Sequence, residues 1–172
     1  AGILKAGHFE DIPLDDHHRI ADTNFKGVLN CTHAAFPLLK VTPRSRVVNM
    51  SSASAMYGAP SLATYSASKF AVRALTEALN VEWARHDIKV CDIMPPFVDT
   101  GMLDSDTRQR LKAIERLGVN LSAEDVAQSI WEATRSNRVH RMVSTPFQVM
   151  SLLQKHAPQR LQQRVVQFLS GY

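Results

Sequence analysis

The pentapeptide Tyr65-Ser66-Ala67-Ser68-Lys69 places a phenol and a primary amine four residues apart. On a helix that spacing puts both on one face, about one turn apart. A tyrosine is a poor acid or base near neutrality, because its ordinary pKa is about 10. A neighbouring ammonium stabilises the phenolate and draws that value down. The shift moves it toward the range where a general acid or base works best. The pair can therefore be a proton-transfer unit. It can equally be a half-buried tyrosine beside a solvated lysine, and the spacing alone does not separate the two.

The elements that must position the pair can be read around it. Residues 64–85 form a helix pattern in which Phe70, Leu75, Leu79 and Trp83 recur at helical spacing. Ala67, Ala71, Ala74 and Ala78 make a narrow second face, suited either to packing on a sheet or to contact with another subunit. Upstream, "RVVNM" at 46–50 reads as a short buried strand, and 51–63 as a loop by its Ser, Gly and Pro content. Downstream, "IKVCDIM" at 88–94 reads as a second buried strand. Residues 95–103 form a loop, because Pro95 and Pro96 cannot continue a central strand. Residues 14–39 predict a helix with Asp15 and Asp16 in its first turn and Pro37 and Pro43 marking its exit. Residues 104–117 read as a mobile helix or lid. Ser122 to Asp125 is a capping-box start for a helix to about Ser136. "RMVST" at 141–145 is a third strand, and the tail after Pro146 is helical, with Pro158 restarting a final amphipathic helix.

Strands separated by helices imply parallel pairing and right-handed crossovers. The expected fold is an open α/β sheet that binds its ligand beyond the carboxyl ends of the strands. Ser51 and Ser52 begin the loop after the first strand, and Tyr65 opens the helix that follows it. Pro95 and Thr100 lie on the loop after the second strand. The polar candidates thus fall on one edge of the sheet.

Further residues narrow the choice. Ser52 precedes Tyr65 by thirteen positions. Asn24 sits inside "DTNFKGVLN", where an amide is an indifferent helix former, and "AGI" opens the chain. This Asn–Ser–Tyr–Lys set resembles the short-chain dehydrogenase/reductase family, from Ala1 to about Thr145. The resemblance implies a Rossmann-like doubly wound parallel sheet and a nicotinamide cofactor, NAD or NADP, whose hydride chemistry is its own. It implies that Tyr65 is the general acid/base, that Lys69 lowers its pKa and holds the nicotinamide ribose, and that Ser52 holds the substrate oxygen. Asn24 would position a water behind Lys69. Ala1-Gly2-Ile3 looks like the remainder of the motif that the family opens with Asn-Asn, which would put Gly2 beside the cofactor. Pro95, Val98 and Thr100 would lie against the nicotinamide carboxamide. Where the family has Pro-Gly, this chain has Pro95-Pro96, which removes an N–H at position 96.

The family's Gly-rich turn, which receives a pyrophosphate at a helix N-terminus, precedes "AGI", as do its first four strands. No G-x-x-x-G-x-G occurs in the 172 residues. The expectation is a single partial domain over 1–172, the catalytic half of a longer enzyme. Strand 46–50 would have an open edge, and the isolated polypeptide would bind cofactor weakly and dissolve poorly. A non-catalytic binding or regulatory module on the same fold, or an inactive fragment, are the other readings.

Composition bounds the rest. The chain is 45% hydrophobic and 21% charged, ordinary for one domain with a core. It has no apolar run of about 18 residues and no secretory start. Cys31 and Cys91 lie in no metal or redox spacing and fit reduced thiols in the cytoplasm. The net charge is +4, but Lys and Arg are scattered, which argues against nucleic acid. His8, His17, His18 and His33 make no metal site, since adjacent helical residues point about 100° apart. Met56, Phe97, Met102 and Leu103 on nearby loops suggest an apolar alcohol or ketone substrate, or else loops packed on the core. The tail at 152–169 puts Leu161, Val165, Phe168 and Leu169 on one face, as a pocket wall, a subunit contact or a membrane-surface helix. By resemblance the chain is expected to form a homodimer or homotetramer through helices 14–39 and 64–85.

Overall fold

A computed structural model of the protein describes residues 2–144, 147–148 and 157–172. Among them are three parallel strands in the order β1-β2-β3: β1 (Arg46–Met50), β2 (Lys89–Met94) and β3 (His140–Met142). Val47 pairs with Val90 and Asp92 with His140, so the register is continuous across the sheet. β1 pairs on one side only among the described residues. Thr145, at the end of the expected third strand, and residues 152–156 of the expected tail helix lie outside the described residues.

Helices cover both faces, as a parallel sheet requires. One face carries Val47 and Val90, which pack with Trp83, Ile88, Phe36 and Leu39. The opposite face carries Val48, Cys91 and Ile93, which pack on Val126, Ile130 and Ala133 of helix α6 (Ala123–Ala133). The expected capping box starts α6: Ser122 accepts from the Asp125 amide, and Asp125 reaches back to the Ser122 amide.

The expected helix at 14–39 is longer and less regular than its sequence suggests. It consists of α1 (Leu14–Ala21), a π-helical turn at Asp22–Lys26, and α2 (Gly27–Val41). Pro37 does not end it. The helix continues through Pro37 to Val41, because Phe36 and Leu39 on either side are held against the Trp83 cluster. The Phe36 and Trp83 ring centroids lie 4.9 Å apart. That packing offsets an interior proline's cost of about 3 kcal/mol.

Helix α3 (Ala63–Glu82) follows β1, and a short 3-10 turn at Trp83–His86 ends at Asp87 in the left-handed region. Its burial pattern decides between the two readings of the alanine face. Ser66, Ser68, Lys69, Val72 and Thr76 are buried, whereas Ala67, Ala74 and Ala78 are exposed and Ala71 is half-buried. The alanine face is therefore turned away from the sheet, and Phe70 is 39% exposed beside it. The 104–117 segment is two short helices, α4 (Ser105–Arg110) and α5 (Lys112–Leu117), joined at the buried Leu111. Helix α7 (Gln159–Ser170) follows Pro158 as expected.

Ile93 is fully buried at the sheet centre. Ile93→Ala should lower the unfolding free energy by about 2–5 kcal/mol. Ser122→Ala, which loses a cap, should lower it by about 1 kcal/mol. Urea unfolding of the two variants side by side checks the ordering.

Candidate active site

The site forms where β1 and β2 end. The ladder continues one residue past β1, since the Ser51 amide donates to the Ile93 carbonyl at 2.9 Å. Ser51 Oγ then donates to the Lys69 carbonyl at 3.3 Å, tying the end of β1 to the first turns of α3. Ser52 caps a short 3-10 turn at Ala53–Ala55, its Oγ accepting from the Ser54 amide at 3.2 Å. The Ala53 amide donates to the Pro95 carbonyl at 2.9 Å, so the loops after β1 and β2 are stitched together.

Tyr65 and Lys69 project from the start of α3 into a cavity of about 520 Å³. Gly2, Ser52, Pro95, Val98 and Thr100 line the same cavity. Seven of the eight residues singled out in the sequence therefore share one space. Asn24, the eighth, stands behind it, 0% exposed in the π-helical turn. Its Oδ1 accepts from the Ile3 amide at 2.8 Å, and its Nδ2 donates to the Ile3 carbonyl at 2.8 Å. The same Nδ2 donates to Ser68 Oγ at 3.1 Å, and Ser68 Oγ donates to the Tyr65 carbonyl at 2.6 Å. An unbroken hydrogen-bond path thus leads from residue 3 to the backbone of Tyr65. A Cβ on Gly2 would meet Met102 Cε at 3.4 Å and lie 3.9 Å from Lys69 Nζ, so glycine keeps the space before the amine open.

Lys69 is 4% exposed. Its Nζ donates to the Met50 carbonyl at 3.0 Å and lies 5.6 Å from the Tyr65 ring centroid. Burial lowers its pKa to about 8. Tyr65 is pushed above its ordinary value by burial, with its hydrogen bond to Ser52 pulling the other way. The expectation that Lys69 draws the Tyr65 pKa down does not match this arrangement: desolvation dominates the phenol, and the ammonium spends a proton on Met50. The phenol is an acid holding its proton, and the amine beside it is close to giving one up.

Val98 bridges to Leu121, and the Thr100 carbonyl accepts from the Leu103 amide at 3.0 Å, which closes the loop after β2 into a turn. Pro96 also lines the cavity. Much of the remaining wall went unread in the sequence. Leu4, Leu62, Tyr57 and Phe147 contribute, as does a face of α6 made by Ala123, Val126, Ala127 and Ile130. The spacing of that α6 face is visible in the sequence, but it is the spacing of any core-facing helix. Ser68 was hidden among the small residues between Tyr65 and Lys69.

An ammonium has three N–H donors, and the structure shows one of Lys69's used on Met50, beside the space that Gly2 leaves open. Among the described residues no group of His, Cys, Asp or Glu could hold a metal ion, and no helix is long and apolar enough to cross a membrane.

A family profile for short chain dehydrogenase matches residues 1–111. The oxidoreductase UcpA of Escherichia coli strain K12 is 38% identical over 110 residues, covering 63% of this chain and 42% of that protein. The chain thus matches about two-fifths of the length of this curated relative. A short chain dehydrogenase from Burkholderia cenocepacia J2315, solved in complex with NADP, superposes with a TM-score of 0.82 at 22% identity, covering 95% of this chain and 67% of that one. A short chain dehydrogenase/reductase from Burkholderia phymatum, solved in complex with NAD, gives a TM-score of 0.78 at 25% identity, covering 90% and 63%. The architecture is that of a Rossmann-like α/β fold.

The buried amine carries a pH signature. Lys69 has an ordinary value of 10.5 and titrates at about 8 in the folded chain. Between those limits the unfolded chain holds a proton that the folded chain has released, so stability from this group rises with pH across the window and is lost as pH falls through about 8. The whole span is on the order of 3 kcal/mol. Lys69→Met removes the titration and should flatten that stretch of the profile. Urea unfolding at steps between about pH 7 and about pH 10 checks it; parallel parent and variant profiles would contradict the buried-amine assignment.

Proposed function

The chain belongs to the short-chain dehydrogenase family, and on that premise we propose that it is the catalytic half of one dinucleotide-binding domain in an NAD- or NADP-dependent oxidoreductase. The reaction interconverts an alcohol and a carbonyl compound. The observation that carries the reading is the meeting of Ser52, Tyr65 and a buried Lys69 on one cavity at the carboxyl end of a parallel sheet.

The proposed roles rest on the family resemblance, and the geometry supports them. Tyr65 Oη gives its proton to the substrate oxygen when a carbonyl is reduced and takes it back when an alcohol is oxidised. A phenol held above its ordinary pKa keeps its proton near neutrality, so the protonated form is the one present to give it. Ser52, hydrogen-bonded to Tyr65, holds the same substrate oxygen and fixes the line of proton transfer. Lys69, whose amine loses a proton at about 8, returns one to Tyr65 from the far side. The Asn24 side chain is committed to Ile3 and Ser68, so a water positioned by Asn24 would be held through its main chain. Lys69, Gly2, Pro95, Val98 and Thr100, which line the same cavity, would hold the nicotinamide cofactor, whose chemistry would be hydride transfer.

The substrate is proposed to be apolar. Beyond the polar group at Tyr65, the cavity wall is made by Leu4, Leu62, Phe97, Met102, Leu103 and the α6 face. Leu103 also belongs to a buried cluster with Leu62, Leu111 and Ile114, so it serves as wall and core together. A homo-oligomer is proposed as well, supported by the outward alanine face of α3 and by exposed Phe70, Val81, Leu29 and Leu38 on α3 and α2. The absence of a membrane-crossing helix among the described residues is compatible with a cytoplasmic setting.

Tyr65→Phe in the full-length protein should lower turnover by about 10²–10⁴-fold, the range that general acid/base catalysis contributes, and leave cofactor affinity within a few-fold. Lys69→Ala should weaken both rate and cofactor binding. Steady-state kinetics over a series of secondary alcohols, with fluorescence titration of NADH and NADPH, reads both. Unchanged turnover in Tyr65→Phe would remove the acid/base assignment. Cofactor binding without turnover in the parent would favour a regulatory module.

A further inference from the structure

Outside the cavity, four ionisable side chains form a line from the sheet centre to the turn that carries Ser52. Asp92, on β2, is 0% exposed. Its Oδ1 meets His140 Nδ1 at 3.0 Å, across the register pair that joins β2 to β3. His140 Nε2 lies 2.9 Å from Glu77 Oε1 on α3. The same Glu77 oxygen accepts from Arg73 Nε at 2.9 Å. Arg73, one turn away on α3, donates from NH1 to the Ala55 carbonyl at 3.2 Å. Ala55 closes the 3-10 turn capped by Ser52 and is itself 0% exposed.

Resting on the oxidoreductase reading above, we infer that Arg73 is a positioning residue for Ser52, and that Glu77, His140 and Asp92 hold Arg73 in the orientation this needs. The turn at 52–55 has other backbone bonds, most of them within the turn itself. The Ala53 amide reaches the Pro95 carbonyl, and the Ala55 amide bonds back to the Ser52 carbonyl within the turn itself. Removing Arg73 leaves the Ala55 carbonyl buried without its side-chain donor, which the turn relieves by shifting. A shift there moves Ser52 Oγ relative to Tyr65.

The chain of charges also explains its own proton count. A neutral imidazole has one N–H and one lone-pair nitrogen. Both nitrogens of His140 face carboxyl oxygens, so Asp92 and His140 together hold one proton more than a carboxylate beside a neutral imidazole. The four groups then sum to no net charge, which suits a cluster that begins in the core. On the other face of β3, Arg141 pairs with Glu132 of α6, and the carboxyl groups that meet His140 are those of Asp92 and Glu77. Asp92 Oδ2 has no partner among the described residues, so the cluster ends there.

A double-mutant cycle on the full-length protein separates positioning from mere support. Arg73→Met should lower kcat about tenfold with the cofactor KM within about twofold, while in a Ser52→Ala background the same change should lower kcat by less than about twofold. Equal losses in both backgrounds, or no loss in either, would overturn the inference. Hydrogen exchange at the Ser54 and Ala55 amides gives a readout independent of turnover, and it should rise by at least about fivefold in Arg73→Met. Unchanged exchange overturns the positioning role. Faster exchange in a protein whose parent shows no turnover supports the positioning role and places the failure on the oxidoreductase reading. Should Arg73→Met fail to fold, Glu77→Gln and Arg73→Lys carry the same comparison. Each should lower kcat beside Ser52 and not beside Ala at that position, and a loss in both backgrounds counts against the inference.

Discussion

Asn24 has no contact with water and spends both ends of its amide on one residue, Ile3, donating to its carbonyl and accepting from its N–H. That is the hydrogen-bond pattern of a strand neighbour, made by a side chain. It fixes the segment that carries Gly2 against helix α3 through Ser68. Leaving such a buried group unpaired costs about 1–3 kcal/mol for each lost partner. The positions of Gly2, Lys69 and the first turn of α3 therefore depend on one another. The cavity exists because three pieces of chain distant in sequence are tied at this point.

The two faces of the sheet divide their labour. The α6 side is apolar, with Ile93, Cys91, Val126 and Ala133 in contact. The α3 side is unusually polar for a parallel sheet: Asn49 donates to Thr76 at 2.9 Å, Asp92 meets His140, and Ser51 reaches Lys69. Buried polar groups that are satisfied specify one arrangement more sharply than apolar contacts do. The helix that must place Tyr65 and Lys69 is accordingly the one held by directional bonds, and the helix that lines the apolar wall is held by packing.

The parallel pairing and the clustering of candidate residues were legible because alternation and strand ends are local signals. "RVVNM" and "IKVCDIM" read as strands from a handful of apolar residues each, and the rule that ligands bind beyond strand ends placed Ser52, Tyr65 and Thr100 together. What was not legible depends on partners distant in sequence. Pro37 reads as a stop until Trp83 is known to hold the turns beside it. The alanines of α3 could face either way until Ser66, Ser68 and Thr76 are seen to take the inner side. The pKa of Tyr65 reads as lowered from its spacing to Lys69. Its burial, which the spacing does not report, sets the opposite direction.

The π-helical turn at Asp22–Lys26 acts as one residue beyond what an α-helix would use to cover the same rise. Each residue of an α-helix advances the face by about 100°, so the turn resets the phase of everything after it. α1 buries His17 and Ile20, while α2 buries Thr32 and rests Phe36 and Leu39 on the Trp83 cluster. A single apolar stripe drawn from residue 14 to residue 41 cannot pass through both sets. The side of α2 that meets the sheet is thus chosen upstream, at the turn that holds Asn24, and straightening that turn into α-helix with no residue removed would rotate Thr32 and Phe36 away from the core while leaving the sequence of α2 untouched.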